Sequence, residues 1–233
     1  MQDGGVARHF TADYVERAVL RDGSAVRLRL VAPEDRDLLR ASFARWSPAS
    51  RYARFLVPKH ELSDQELDYL CDLDGETHFA IGAVLESGDG TGAPIGAGIA
   101  RFIRLPFVLG EPATAEAAIA VADELHGKGL GTLLLLRLCA AAAERDIDQL
   151  RCEVLATNQA MQSLIESIAP AHTIALVEGV ATIDFPVAPI EPVPGDAEPA
   201  TTRPPGDMYA YLRAAAENVL GWTDSVRRFW RRD

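Results

Sequence analysis

Ile119-Ala-Val-Ala-Asp-Glu-Leu-His-Gly-Lys-Gly-Leu-Gly131 passes from alternating apolar residues into a turn with glycine at 127, 129 and 131, and then into the Leu/Ala-rich run 130–145. The alternation marks a strand, and the run beyond it has the apolar density of a buried helix. Glycines at those places let the backbone approach a ligand closely and adopt positive φ, so that successive N–H groups converge on an anion. The helix that opens there adds its unpaired N-terminal donors and the positive end of its dipole. Together these features suit a pyrophosphate, and without such a purpose alternating glycines would be a poor way to begin a helix.

Two common phosphate loops do not fit. A Walker A loop needs Ser or Thr after Gly-Lys and a glycine five places before the lysine, whereas Gly129 follows Lys128 and Asp123 holds the earlier place. A dinucleotide fingerprint needs Gly-x-Gly-x-x-Gly, and Thr132 stands where its third glycine belongs.

His126-Gly-Lys-Gly129-Leu-Gly131 resembles the acetyl-CoA loop of the GNAT superfamily of N-acetyltransferases, Gln/Arg-x-x-Gly-x-Gly/Ala after a strand. It departs at the first position, where His126 replaces Gln or Arg. The stretch Ser47-Pro-Ala-Ser-Arg-Tyr-Ala-Arg-Phe55, the stretch Leu62-Ser-Asp-Gln-Glu-Leu67 and the segment 72–80 resemble the front half of the catalytic domain of bacterial Pat-type protein-lysine acetyltransferases. Ala115-Glu-Ala-Ala-Ile-Ala-Val-Ala-Asp-Glu124 resembles the cofactor strand of the same group.

The resemblance implies an α/β class (α+β, mixed sheet), the GNAT acyl-CoA N-acyltransferase fold, over residues 24–186. Acetyl-CoA would be the co-substrate, and no metal is implied. The backbone of Ile119 and Val121 would pair with the acetyl carbonyl and the pantetheine arm, as a ligand strand adds to an open sheet edge. His126, Gly127, Lys128, Gly129, Leu130, Gly131 and Thr132 would surround the pyrophosphate, with Lys128 a point charge and Thr132 a cap. Asn158 would begin the next helix and tie the splayed strands to the pantetheine arm. Glu116 is the expected general base. Alternation places it on one face with Ala118, Ala120 and Ala122, which leave room for a substrate. Asp123 and Glu124 are secondary candidates, expected to shape the turn. Ile165 occupies the place where many relatives carry a tyrosine general acid. A thiol with a reference pKa of about 8.5 departs readily as thiolate, so the loss is tolerable.

The remaining pattern predicts the element order. Residues 8–23 read as a short helical arm, 25–31 as a strand, 33–46 and 47–55 as helices, and 62–73 as a helix whose Ser63 and Glu66 have capping-box spacing. Strands follow at 78–85, 94–104 and 115–122, the first two joined by the turn-rich 86–92. The glycine helix precedes a strand at 150–155, a helix at 158–168 and a final pair of strands at 173–177 and 180–185. Residues 187–206 are Pro-rich and read as a linker. Residues 207–233 read as an amphipathic C-terminal helix with Tyr209, Leu212, Ala216, Val219, Val226 and Trp230 near one face and arginines at its end. Docking on the parent domain, on a second copy or on a partner suits that helix best, and membrane-surface contact is a further reading.

Composition sets limits. The net charge of −11 disfavours nucleic acid as a partner and suits a cationic amine, whether a protein lysine or a small molecule. Cys71, Cys139 and Cys152 are scattered, as core thiols of a reducing compartment are, and the five histidines have no metal spacing. With no long apolar stretch and no signal-peptide pattern, a cytoplasmic location is expected. The function that follows is transfer of an acetyl group from acetyl-CoA to a primary amine by direct attack in a ternary complex. The alternative is a catalytically silent acyl-CoA sensor that recruits a partner through its C-terminal helix.

Overall fold

Residues 8–55, 58–86 and 93–187 are described in a computed structural model. Their strands are β1 (Val15–Val19), β2 (Ala25–Leu30), β3 (His78–Leu85), β4 (Ile95–Arg104), β5 (Thr114–Val121), β6 (Gln149–Leu155), β7 (Thr173–Val177) and β8 (Val180–Pro186). They form one sheet in the order β1-β2-β3-β4-β5-β6-β8-β7. Neighbouring strands are antiparallel except β5 and β6. The helices are α1 (Arg36–Arg45), α2 (Pro48–Phe55), α3 (Asp64–Cys71), α4 (Leu130–Ala143) and α5 (Gln159–Ile168).

Period-two alternation divides the side chains of the sheet between two cores. On one face Phe79, Phe102, Ala117, Ile119 and Val121 pack under Leu130, Leu134 and Leu138 of α4 and Leu164 of α5. Phe79 and Phe102 stack with centroids 5.2 Å apart. Burying each large apolar side chain here contributes ~1.5–3 kcal/mol. On the other face Phe43, Leu62, Leu67 and Leu70 of the α1–α3 layer close over Ile103 and Ala118. α3 begins as its sequence predicts: Ser63 accepts from the Glu66 amide at 3.3 Å, and Glu66 accepts from the Ser63 amide at 2.7 Å.

One expectation is corrected. Residues 8–23 are not a helical arm, because β1 pairs along its length with β2. The physical reason is an inverted pattern. Val15 and Val19 face solvent, while Glu16 faces inward and takes a two-point ion pair from Arg137 of α4, at 2.6 and 2.8 Å. Burial acts to raise the Glu16 carboxyl, but Arg137 and the Tyr14 hydroxyl outweigh it and hold the group below its ordinary range. Phe10, Tyr14 and Leu20 join the main core. The turn-rich 86–92 lies largely outside the described residues, and the linker and helix expected beyond residue 187 lie wholly outside them.

Candidate functional site

β5 and β6 run together only over Thr114–Gln149, Ala115–Leu150 and Glu116–Arg151, after which their pairing stops. The β5 ladder shows what this exposes. The Leu105 amide donates to the Thr114 carbonyl and the Ala122 amide to the Ala97 carbonyl, so even-numbered residues bond towards β4. By alternation the N–H and C=O groups of Ala117, Ile119 and Val121 turn towards the wedge between β5 and β6. The side chains of Ile119 and Val121 are core, only 1% and 6% exposed. Backbone alone therefore lines the wedge there.

At the mouth of the wedge lies the glycine turn. Gly127 has φ 74° and Gly129 φ 93°, left-handed values that disfavour any side chain. Gly129 is the N-cap of α4, so the first turn of that helix keeps its unpaired amides, and it contains no acidic residue to repel an anion. A Cβ built on Gly131 would lie 3.9 Å from Val121 Cγ2 and 3.7 Å from Leu164 Cδ2, at the entrance between β5 and α5.

The polar side chains of the turn are engaged. The His126 ring donates from Nε2 to the Val121 carbonyl at 3.0 Å and so ties the turn back to β5. Lys128 pairs with Asp22 of the β1–β2 turn at 2.6 Å, and its carbonyl accepts from the Arg21 amide. Lys128, and then the Ser24 amide, hold the Asp22 carboxyl down at about 2. Thr132 is half-buried in the first turn of α4 and makes no cap, because Gly129 occupies that position. Asp123 reaches across to the start of α2, where the Ser47 amide donates to it at 2.7 Å and the Ser50 hydroxyl also donates. Glu124 pairs with Arg45. These two acids fasten the turn to the α1–α2 layer.

Across the wedge, Asn158 is the N-cap of α5, its Oδ1 accepting from the Met161 amide at 3.0 Å. It is 3% exposed, and its Nδ2 is buried with no hydrogen-bond partner among the described residues. An orphan donor beside exposed strand backbone fits a ligand amide or carbonyl threading the wedge. Ile165, in the core of α5, has no acid–base capacity.

Glu116 sits at the last paired position before the wedge, 8% exposed, with Ile103 beside it on β4 and Arg151 on β6. Arg151 makes a two-point pair with Asp184 of β8, at 2.7 and 2.9 Å. Arg54 of α2, Tyr69 of α3, His78 of β3 and Arg101 of β4 gather on the same side of the sheet, a cluster that sequence reasoning missed. Arg101 is fully buried and donates to the Leu70 carbonyl at 2.7 Å. Tyr69 and His78 rings lie 4.9 Å apart. Burial, and then Arg101, push the His78 imidazole down to about 3. Burial raises the Tyr69 hydroxyl, which also lies within electrostatic reach of Arg101, Glu116 and Arg54. The signal was present in Gly96-Ala-Gly-Ile-Ala-Arg-Phe-Ile103, where one charge interrupts a strand that is otherwise apolar on both faces.

The thiols are remote from chemistry. All three cysteines are buried, and burial pushes Cys71 up to about 11 and Cys139 to about 12. Among the described residues there is no group of three or more His, Cys, Asp or Glu placed to hold a metal, and no helix long and apolar enough to cross a membrane.

Comparison with known proteins agrees with this geometry. Residues 41–168 match the model of the acetyltransferase (GNAT) family. Acetyltransferase PA5475 of Pseudomonas aeruginosa is 33% identical over 145 residues, which cover 62% of this chain and 74% of that protein. Acetyltransferase Pat of Mycolicibacterium smegmatis is 29% identical over 180 residues, 77% of this chain but 51% of its own length, so the match spans about half of that relative. The crystal structure of the GNAT domain of S. lividans PAT superimposes with a TM-score of 0.65 at 26% identity, covering 76% of this chain and 99% of that one. Since the family model spans more than half of its residues, the chain belongs to the GNAT acetyltransferase family and is an acetyl-CoA-dependent N-acetyltransferase.

Proposed function

We propose that this chain transfers the acetyl group of acetyl-CoA to a primary amine, a protein lysine or a small-molecule amine, within a ternary complex, with Glu116 as the base. The observation that carries the reading is the position of Glu116 at the residue where β5 and β6 part, so that its side chain leaves the sheet on the face shared with Ala118, beside the closed end of the wedge lined by Ile119 and Val121 backbone. A thioester lying along that backbone, as a strand lies on an edge, brings its carbonyl carbon towards Glu116. The turn 127–131 and the first turn of α4 receive the pyrophosphate, and Asn158 Nδ2 takes a pantetheine carbonyl.

A lysine-like amine has a reference pKa of about 10.4 and attacks only when neutral. Glu116, directly or through one water, accepts the proton as the new N–C bond forms and the C–S bond breaks. The CoA sulfur leaves as thiolate, its low pKa making a dedicated acid unnecessary, in keeping with Ile165 in the acid's usual place. No protein thiol competes as an acyl acceptor, since each is buried with its thiolate disfavoured. The net charge of −11 favours cationic acceptors on encounter.

Calorimetric titration with acetyl-CoA, followed by turnover against a mixed panel of lysine peptides and small amines, tests the reading. Binding with release of CoA is expected. A chain that binds no acetyl-CoA would overturn the site assignment, and binding without turnover on any amine would overturn the acceptor class.

A further inference from the structure

Val121 is the last residue of β5, and by the alternation of the ladder its carbonyl faces the wedge rather than β4. That oxygen is already taken. The His126 side chain is only 13% exposed, and its ring donates from Nε2 to the Val121 carbonyl at 3.0 Å. A carbonyl can only accept, so Nε2 carries the proton and the ring is held in one tautomer. The Asp123 carboxylate stands 3.8 Å from the same nitrogen but accepts from the Ser47 amide and the Ser50 hydroxyl instead. The ring reaches back because a single 3₁₀ turn, Asp123–Leu125, folds the chain on itself, with the Leu125 amide donating to the Ala122 carbonyl and the His126 amide to the Asp123 carbonyl. Asp123, Glu124 with Arg45, and the buried Leu125 pin that turn, so the imidazole can leave Val121 by rotating about its own side-chain bonds, with the backbone unmoved.

We infer that the His126 imidazole is a placeholder for the pantetheine arm: it occupies the strand acceptor that an amide N–H of acetyl-CoA takes, and it leaves as the ligand enters, handing its Nε2 proton to a phosphate oxygen at the glycine turn. This rests on the reading of the wedge and the glycine turn as the acetyl-CoA site. A ligand strand adds to an open edge by filling its backbone donors and acceptors in turn. The bond from the ring meets the Val121 oxygen from outside β5, so the ring stands on the wedge side, where such a strand lies. The exchange keeps the hydrogen bonds in number: the carbonyl trades an imidazole N–H for an amide N–H, and the imidazole trades a carbonyl for a charged phosphate oxygen, the stronger acceptor. A ligand with phosphates therefore offsets the release of the ring, and a ligand without them does not.

The test uses the full chain and His126→Ala, with acetyl-CoA and S-acetylpantetheine as probes. Nitrogen NMR of the unmodified chain, its His126 ring assigned by loss of the signal in His126→Ala, reads the exchange directly. Without ligand the ring should show the Nε2–H tautomer alone, and saturation with S-acetylpantetheine should break the bond and return the ring to a mixture of tautomers. Calorimetry separates the two halves of the exchange. His126→Ala should bind S-acetylpantetheine roughly threefold to tenfold more tightly, since only water then has to clear the carbonyl, and acetyl-CoA no more tightly than the unmodified chain does, since the phosphate contact goes as well. A ring signal unchanged by saturating S-acetylpantetheine would overturn the inference. So would a His126→Ala chain that gains nothing for S-acetylpantetheine while losing affinity for acetyl-CoA, which would leave His126 a tether of the turn alone. An equal gain for both ligands would overturn the transfer to phosphate. Failure of the unmodified chain to bind acetyl-CoA would overturn the underlying site instead.

Discussion

Adding one methyl group at Gly129 and one at Gly131 should move stability in opposite directions while moving cofactor affinity in the same one. At Gly129 a Cβ has room, its nearest neighbour being Arg21 Nε at 3.5 Å, so the cost of Gly129→Ala is conformational. Holding alanine at a φ of 93° costs ~1–2 kcal/mol. For a folded unit of this size that is a drop in Tm of about 2–8 °C. Gly131 lies within α4 at ordinary helical φ, with contacts at 3.7 and 3.9 Å around its added methyl. Gly131→Ala therefore gains helix propensity, up to ~1 kcal/mol, and should raise Tm by about 2–4 °C. Yet the Gly131 methyl would stand at the entrance between Val121 and Leu164, where the ligand must pass. Acetyl-CoA should bind at least about tenfold more weakly to both variants, a loss of ~1.4 kcal/mol. Thermal melts without ligand and calorimetry with it separate the two effects. The reasoning is refuted if Gly131→Ala is more stable and binds acetyl-CoA as tightly as the unmodified chain, for then the ligand does not approach the backbone there.

Other substitutions address single roles. Glu116→Gln should keep acetyl-CoA affinity and lower kcat by about 100-fold or more, with loss of the acidic limb of the pH–rate profile; a profile of unchanged shape would remove the base. Asn158→Ser keeps an N-cap acceptor and deletes the buried Nδ2 donor, so it should weaken acetyl-CoA with little loss of Tm, whereas Asn158→Ala should also lose ~1 kcal/mol of stability. If both variants bind normally, Asn158 is a cap alone. Glu16 is held below its ordinary range, so its ion pair with Arg137 stabilises the fold above about pH 4.5, the reference value of a glutamate, and the contribution fades as pH falls below it. Glu16→Gln should therefore lower Tm at neutral pH, with the gap narrowing in acid, and a gap that widened instead would reverse the assigned sign. A chain ending at Val187, whose amide reaches the Asp148 carbonyl at 2.8 Å, should still melt cooperatively; aggregation would show that residues beyond it complete the core.

The central half of this fold was legible because its signals are local. The glycine spacing at 127–131, the capping box at Ser63 and Glu66 and the alternation of β3, β4 and β5 each need only a few neighbouring residues. β1 escaped because its inward position is Glu16, satisfied by an arginine 121 residues away, while its valines face water. The same distance hid the clamp on the glycine turn, since Asp22 and Arg21 are more than a hundred positions from Lys128 in sequence. Arg101 was marked by the apolar run on either side of it, unlike Arg27 and Arg29, which stand at alternate places in a half-exposed strand, but the groups that gather near it come from α2, α3 and β3 and are not legible from that run. The conformation of His126 was equally unreadable: a histidine in a phosphate loop can face either way, and only the proximity of the Val121 carbonyl decides it.

The burial of Cys71, Cys139 and Cys152 also bears on how this enzyme is assayed. A disulfide reagent reacts with thiolate, and here every protein thiolate is both sheltered and disfavoured. Under native conditions the colour developed during turnover should therefore report released CoA almost alone, with a slow protein background that rises only on unfolding. The same reagent without acetyl-CoA then becomes a probe of opening of the fold, and the order in which the three thiols react would map which part of the core gives way first.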